Sequence, residues 1–330
     1  MIECPCILRL KSLFARSTLW KEQKLRMALN LGDLVSVKTK DGFFAGKVED
    51  FGESSMKLSN PKNGLCKRIA YDYIMEYDVG RLPSTDMARI GLDTESSLVA
   101  IPGKDYVVGA TPVTQRLYEK VMGENPSYFQ TANKELDEAL QCILSREGNT
   151  QNNPVENVSW YDVVYFCNKL SILEGFTPAY SVDGERDPQY WGYKPHQKEP
   201  IGSKVCCDFS CNGYRLPTND EWEDAGAGGE NYLFPGCDSM DEVCWNGENS
   251  NGITHSVATK MANAYGLYDM SGNVCEWVWD SEDEIGSSHD NRGGCYYSSE
   301  DGCIFANWGD GAASAFRHKN IGFRLLRKVC

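Results

Sequence analysis

The sequence changes character near Leu98, and this change limits the folds that the chain can adopt. Before it, residues 31–77 contain short apolar and β-branched runs that are separated by turn signals such as Asp41-Gly42. After it, Gly, Asn, Trp and Tyr become frequent, and long helical patterns are rare. The sequence therefore predicts two units, one all-β and one α+β, and 330 residues are enough for both.

The first unit is predicted to be a small all-β barrel that spans residues 31–80. About five short strands are expected, with turns at Asp41-Gly42 and at Phe51-Gly52-Glu53. The pattern of a Gly-Asp start followed by a hairpin resembles the SH3-like and Sm-like barrels. Residues 81–97 are rich in Gly, Pro, Ser and Thr, and they are predicted to be a linker to a second domain over residues 98–330.

Charge and hydropathy exclude several classes of function. A formal net charge of −14 opposes the basic face that nucleic-acid binding requires. No apolar run approaches the length of a membrane-spanning helix, so no transmembrane segment is predicted. Residues 1–30 form a basic leader that is predicted to be poorly ordered. Arg9 and Lys11 interrupt the apolar run that a signal peptide would need.

Fourteen cysteines and four histidines are scattered without metal-binding spacing. The cluster Cys206, Cys207 and Cys211 has neither a CxxC partner nor a nearby histidine, and no HxxxH pair occurs. Reduced and mostly buried thiols are expected. The alternative, for an exported protein, is disulfide formation by pairs such as Cys237–Cys244 or Cys295–Cys303.

Helical patterns in the second unit are few. They predict helices over residues 111–123, about 134–146, 159–175 and 218–225. Ser159 and Thr218 are the expected N-caps, and Glu221 follows Thr218 at the spacing of a capping box. The remainder is predicted to be short strands and loops.

Five motifs follow one another between Leu98 and the C-terminus. They are VAIPGKDYVVGATPVTQRLYEKVMGENPSYF, NPVENVSWYDVVYFCNKLS, GYRLPTNDEWEDAGAGG, NAYGLYDMSGNVCEWVWD, and the terminal pair NRGGCY and NIGFRLL. In this order they resemble the formylglycine-generating-enzyme/sulfatase-modifying-factor superfamily. The resemblance implies an α+β domain with a variant of the C-type lectin fold.

The resemblance also implies a structural calcium ion at the GLYDMSGNVCEW loop. Carried over, its ligands are the side chains of Asp269 and Glu276 and the carbonyl oxygens of Gly272 and Val274, and such oxygen ligands suit calcium. The alternative is that both carboxylates only accept hydrogen bonds from the turns.

Enzymes of the family bind copper with two cysteines, at the fourth and ninth positions after the RGG strand. Here these positions hold Ser298 and Cys303, and a serine cannot supply the soft thiolate that copper(I) prefers. Cys295 lies at the first position after the RGG strand. Side chains alternate in direction along a strand, so a side chain at the first position points away from one at the fourth. Hence no copper and no catalysis are expected, and a cysteine-dependent oxidase remains the alternative.

Residues 295–318, called the variable segment below, resemble the diversified region of diversity-generating-retroelement variable proteins. Almost all residue types in this segment can be encoded by codons that end in a pyrimidine, and the same is true of the diversified regions of variable proteins. The resemblance implies a non-catalytic protein that binds a ligand, more plausibly a protein than a sugar, because the Glu-Pro-Asn and Gln-Pro-Asp lectin signatures are absent. The candidate contacts are Tyr297, Ser298, Ser299, Asp301, Phe305, Asn307, Trp308, Asp310, Phe316 and His318. A third hypothesis is a structural or regulatory module without a ligand.

Overall fold

The computed structural model describes residues 98–329 apart from 198, 282–285 and 306–310, and, within residues 1–97, the backbone of five strands. The side chain of Glu147 is also outside the description. The predicted leader (1–30), the predicted linker (81–97) and the candidate contacts Asn307, Trp308 and Asp310 lie outside the described residues.

The N-terminal unit contains one antiparallel sheet. Its strands are β1 (Leu34–Thr39), β2 (Gly42–Phe51), β3 (Ser55–Ser59), β4 (Cys66–Ala70) and β5 (Ile74–Val79), in the order β4-β3-β2-β1-β5. The β1–β2 pairing ends at Thr39 opposite Gly42, which places the hairpin where the Asp41-Gly42 signal predicts it. The expected five strands are present, and closure of this sheet into a barrel stays a prediction.

The C-terminal unit combines six helices with short strands among its described residues. The helices are α1 (Gln115–Met122), α2 (Glu138–Glu147), α3 (Trp160–Glu174), α4 (Asn219–Ala227), α5 (Met240–Val243) and α6 (Glu300–Cys303). The strands are β6 (Leu98–Ala100), β7 (Tyr106–Gly109), β8 (Tyr180–Val182), β9 (Val205–Cys207), β10 (Tyr214–Arg215), β11 (Cys275–Trp277), β12 (Ser288–His289), β13 (Asn291–Arg292), β14 (Ala312–Ala313), β15 (Ile321–Phe323) and β16 (Leu326–Lys328). The predicted helices are therefore confirmed, with ends that differ by a few residues.

Strand order brings the two ends of this unit together. One sheet has the order β10-β16-β7-β6, so the last strand lies between strands from the start and middle of the unit. A second sheet has the order β13-β11-β15, in which β11 pairs antiparallel with β13 and parallel with β15. The variable segment leaves this second sheet after β13 and returns to it at β15.

Helix caps explain where the main helices begin. Thr218 accepts a hydrogen bond from the Glu221 backbone N–H, and the Glu221 carboxylate accepts one from the Thr218 N–H, which is the predicted capping box of α4. At α3, Ser159 Oγ accepts a hydrogen bond from the Asp162 N–H, as expected for an N-cap. Both caps hold helices whose inner faces carry fully buried tryptophans, Trp160 and Trp222.

The core beneath the variable segment is centred on Trp222. Its indole packs with Met270, Leu267 and Val278 in a buried cluster, so α4 is fixed against the GLYDMSGN loop. Trp277 on β11 is also buried and donates its indole N–H to the Val158 carbonyl oxygen at 3.0 Å. These tryptophans make the scaffold rigid where the variable segment is attached.

Candidate functional site

The variable segment begins with a turn that only glycine can form. Gly293 and Gly294 have φ values of 91° and 70°, and a Cβ on Gly294 would collide with the Gly302 carbonyl oxygen. The chain therefore folds back at once, and α6 lies against the end of the RGG strand.

Buried groups attach the segment to the core. Cys295, Cys303 and Ser314 are each at most 1% exposed, and Ser271 Oγ donates a hydrogen bond to the Cys303 carbonyl oxygen at 2.8 Å. Phe305 stacks on Trp222, with ring centroids 6.1 Å apart. Because Phe305 packs on the buried cluster, it supports the segment from below, which differs from its predicted role as a ligand contact.

Other predicted contacts point outward. Tyr297 is 52% exposed and Phe316 is 45% exposed, and Ser299 and Asp301 are exposed as well. His318 is half-buried, and its ring stacks on Phe316 at 5.8 Å with an interplanar angle of 7°.

A chain of contacts joins the two halves of the segment. Asn320 Nδ2 donates a hydrogen bond to the Tyr297 hydroxyl at 2.7 Å, and its Oδ1 is hydrogen-bonded to His318. Since His318 stacks on Phe316, the series Tyr297–Asn320–His318–Phe316 forms one continuous surface. Asn320 lies just outside the predicted segment, and sequence reasoning missed it.

The Ser298 side chain forms hydrogen bonds within the turn that follows the RGG strand. Its Oγ accepts a hydrogen bond from the Cys295 N–H at 3.0 Å and lies 3.4 Å from the Cys295 sulfur. Ser298 is only half-buried, so its hydroxyl bridges the buried turn and the exposed residues.

Sequence reasoning also missed an anchor at the far end of the segment. Arg317 donates from Nε to Asp162 Oδ2 at 2.7 Å and from Nη2 to the Tyr193 hydroxyl at 2.9 Å. Burial, the largest single influence, opposes ionisation of Asp162, but the hydrogen bonds and charge of Arg317 together with His196 outweigh it and lower the pKa of that carboxyl. The only sequence signal was Asp162 itself, which also caps α3 by accepting from Ser159.

The two carboxylates predicted to bind calcium, those of Asp269 and Glu276, accept hydrogen bonds within the protein in this structure. Both oxygens of Glu276 accept hydrogen bonds from the buried Arg324 guanidinium, and Oε2 accepts a further one from Trp222 Nε1 at 2.8 Å. Asp269 accepts from the Ala258 N–H at 2.8 Å, and burial raises its pKa to about 6. A guanidinium already neutralises Glu276, so a calcium ion there would be repelled. The calcium site therefore stays a prediction that this geometry does not favour.

The thiol at the ninth position after the RGG strand is inaccessible. Cys303 is 0% exposed and packs with Phe234, Val243 and Cys244. Across the described part of the chain, no group of three or more His, Cys, Asp and Glu residues is arranged to hold a metal ion. In the same part, no helix combines the length and apolarity that crossing a membrane demands.

Comparison with known proteins identifies relatives of the C-terminal unit. A family model described as "Sulfatase-modifying factor enzyme 1-like domain" matches residues 82–329. The chain is 34% identical over 197 residues to the chaperone protein LppX of Paenibacillus barcinonensis, which covers 53% of this chain and 62% of that protein. It is 40% identical over 135 residues to the serine/threonine-protein kinase pkn1 of Chlamydia caviae, which covers 36% of this chain and 21% of that protein. The chain thus spans less than two thirds of either relative.

A solved structure is also similar. Variable protein 1 of Treponema denticola superimposes with a TM-score of 0.56 at 30% sequence identity, and the match covers 70% of this chain and 91% of that one. The predicted resemblance to the sulfatase-modifying-factor superfamily and to its variable proteins is confirmed.

Proposed function

Because the chain belongs to the sulfatase-modifying factor enzyme 1-like family, we propose that it is a non-catalytic member that binds a ligand through the variable segment. The ligand face, as we define it, consists of the exposed residues Tyr297, Ser299, Asp301 and Phe316. Asn320 and His318 connect its two halves.

The observation that carries this proposal is the separation of buried and exposed side chains within one segment. Cys295, Cys303 and Ser314 are buried, whereas Tyr297 and Phe316 expose about half of their surface. Side chains of the ligand face can therefore change without altering the groups that hold the segment in place. Such an arrangement suits a surface that must accept different residues.

The chemistry of the face favours a protein ligand. Tyr297 and Phe316 offer large contact area with few rotatable bonds, and Ser299 and Asp301 add adaptable hydrogen bonds. Exposed aromatic residues next to small polar ones are the composition of antibody-like binding surfaces. The similarity to a variable protein supports the same function.

Two features weigh against the copper oxidase alternative. Cys303 is enclosed by apolar side chains, and the fourth position holds Ser298, whose hydroxyl contacts the Cys295 sulfur at 3.4 Å. A bound metal would lack the paired, accessible thiolates that copper(I) requires.

The test compares binding and catalysis in one set of proteins. Full-length wild-type chain and a variant with alanine at all four residues of the ligand face are screened against a panel of purified proteins. We expect ligands that bind wild type and not the variant. In parallel, wild type is incubated with copper and a CxPxR peptide, and no formylglycine should form. Formylglycine formation, or binding unchanged in the variant, would overturn the proposal.

A further inference from the structure

A cluster of charged side chains surrounds the anchor at the far end of the variable segment. His196 lies in the loop between β8 and β9, and its ring faces Asp162 of α3, with Nδ1 3.8 Å from Oδ2. Its Nε2 lies 3.3 Å from the Tyr118 hydroxyl and 3.6 Å from Glu124 Oε1. One carboxylate, that of Asp162, therefore faces both this imidazole and the Arg317 guanidinium. The charged and titratable groups around His196 are Tyr118, Glu124, Asp162, Tyr193 and Arg317.

We propose that His196 makes the attachment of the variable segment sensitive to pH: when its imidazole gains a proton in mildly acidic solution, the loop that carries it leaves Asp162, and the segment loosens around Arg317. This release is a property of the folded chain and needs no ligand. Its consequence, weaker ligand binding in acid, rests on the proposed function, because Phe316 of the ligand face is the residue next to Arg317.

The Asp162 carboxylate has no free site for a proton donor on the His196 ring. Its Oδ1 accepts from the Tyr193 hydroxyl at 2.8 Å, the His196 backbone N–H at 2.9 Å and Arg317 Nη2 at 3.1 Å. Its Oδ2 accepts from the Ser159 N–H and hydroxyl, both at 2.8 Å, and from Arg317 Nε at 2.7 Å. A carboxylate offers about four lone-pair sites, and these contacts already fill them. A protonated His196 ring must therefore displace an existing donor.

The folded cluster accommodates the neutral imidazole. His196 Nδ1 is buried and has no hydrogen-bond partner in the described part of the chain, so a proton there would lack both water and an acceptor. Burial, the largest influence, lowers the pKa of His196 below 6.5, and the Arg317 charge acts in the same direction against the attraction of Asp162 and Glu124. A released His196 regains its ordinary pKa. The attached form is therefore fully favoured above that pKa and loses its advantage as the pH falls below it.

The backbone of His196 also favours release. Its φ is 64°, in the left-handed region that residues other than glycine rarely adopt. The hydrogen bond from the His196 N–H to Asp162 holds this conformation. Tyr193 belongs to the same loop and lies 2.9 Å from Arg317 Nη2, so departure of the loop removes one of the partners of Arg317.

Hydrogen exchange of the free, full-length protein tests the proposal. Exchange is followed by mass spectrometry at pH 7 and pH 5, and each rate is divided by the intrinsic rate at that pH. Peptides over residues 188–197 and 312–321 report on the loop and on the far end of the variable segment, and a peptide over α4 is the internal reference. Protonation of Glu156, whose pKa burial raises to about 8, stabilises the fold as the pH falls over this range, so faster exchange at pH 5 cannot come from it.

Wild type should exchange at least about threefold faster at pH 5 than at pH 7 in both peptides, with no such change in α4. His196→Asn cannot titrate, and asparagine tolerates a positive φ, so its exchange should not accelerate in acid. Gln197→Ala, at an exposed neighbour in the same loop, is the control and should behave as wild type. Unchanged exchange in wild type, or equal acceleration in His196→Asn, would refute the inference. Because no ligand is present, the result does not depend on whether the ligand face binds a protein.

Discussion

At the scale of single residues, the buried Glu276–Arg324 pair dominates the region next to the variable segment. The two side chains are 1% and 0% exposed and lie 2.8 Å apart, so each charge depends on the other. Glu276→Gln removes the counter-charge and should lower the free energy of unfolding by about 3–5 kcal/mol. Urea denaturation at pH 7 measures this loss. Asp105→Asn, which breaks the exposed pair with Lys328, should leave the denaturation midpoint unchanged.

Calcium provides a second test at this scale. Since Arg324 occupies the oxygens of Glu276, millimolar calcium should not stabilise the wild-type protein. Thermal unfolding in calcium and in a chelator should give the same melting temperature. A melting temperature that rises with calcium and falls with chelator would instead support the bound calcium ion that the resemblance implies.

Glu156 should give stability a specific pH dependence. It is fully buried and accepts from the Tyr128 and Phe129 N–H groups, and burial raises its pKa from 4.5 to about 8. Between these values the folded protein binds the proton more strongly than the unfolded chain, so stability falls as the pH rises. Between pH 6.5 and 8 the decrease should approach about 1 kcal/mol per pH unit.

The matched variant is Glu156→Gln, which cannot titrate. Its free energy of unfolding, from urea denaturation, should change less across pH 6.5–8 than that of wild type. Asp269, whose pKa is raised to about 6, is already largely ionised in this range and contributes little to the slope. Equal slopes in the two proteins would contradict the assignment to Glu156.

At the scale of elements, the capping box of α4 fixes the helix that carries Trp222. Thr218→Ala removes the hydrogen bond from the Glu221 N–H and should reduce the free energy of unfolding by about 1 kcal/mol. Ser299→Ala is the matched control, because Ser299 is the N-cap of α6 but forms no side-chain cap hydrogen bond. Chemical denaturation of both variants should show a loss for the first only.

Local elements were largely predictable from sequence, whereas the contacts that hold the site were not. The cap at Thr218 and the hairpin at Gly42 involve residues a few positions apart, so short patterns determine them. The Arg317–Asp162 pair joins residues 155 positions apart, and no local pattern encodes it.

At the scale of the whole molecule, the order of five motifs predicted the family, and three of these motifs meet in the core. Trp222, Glu276 and Arg324 come from three motifs, and they meet in one buried hydrogen-bonded group. Which residues of the variable segment are exposed, in contrast, could not be predicted from the sequence. Phe305 and Tyr297 have similar chemistry, and only the three-dimensional packing shows that the first lies on Trp222 and the second faces solvent.

The affinity for a protein ligand from the panel shows directly whether the ligand face binds it. Wild type, Tyr297→Ala/Phe316→Ala and the control Tyr190→Ala are compared by calorimetry, since Tyr190 is 65% exposed but lies outside the variable segment. We expect the double variant to bind at least about tenfold more weakly, while Tyr190→Ala retains wild-type affinity. Equal affinities in all three proteins, or an equal loss in Tyr190→Ala, would contradict it.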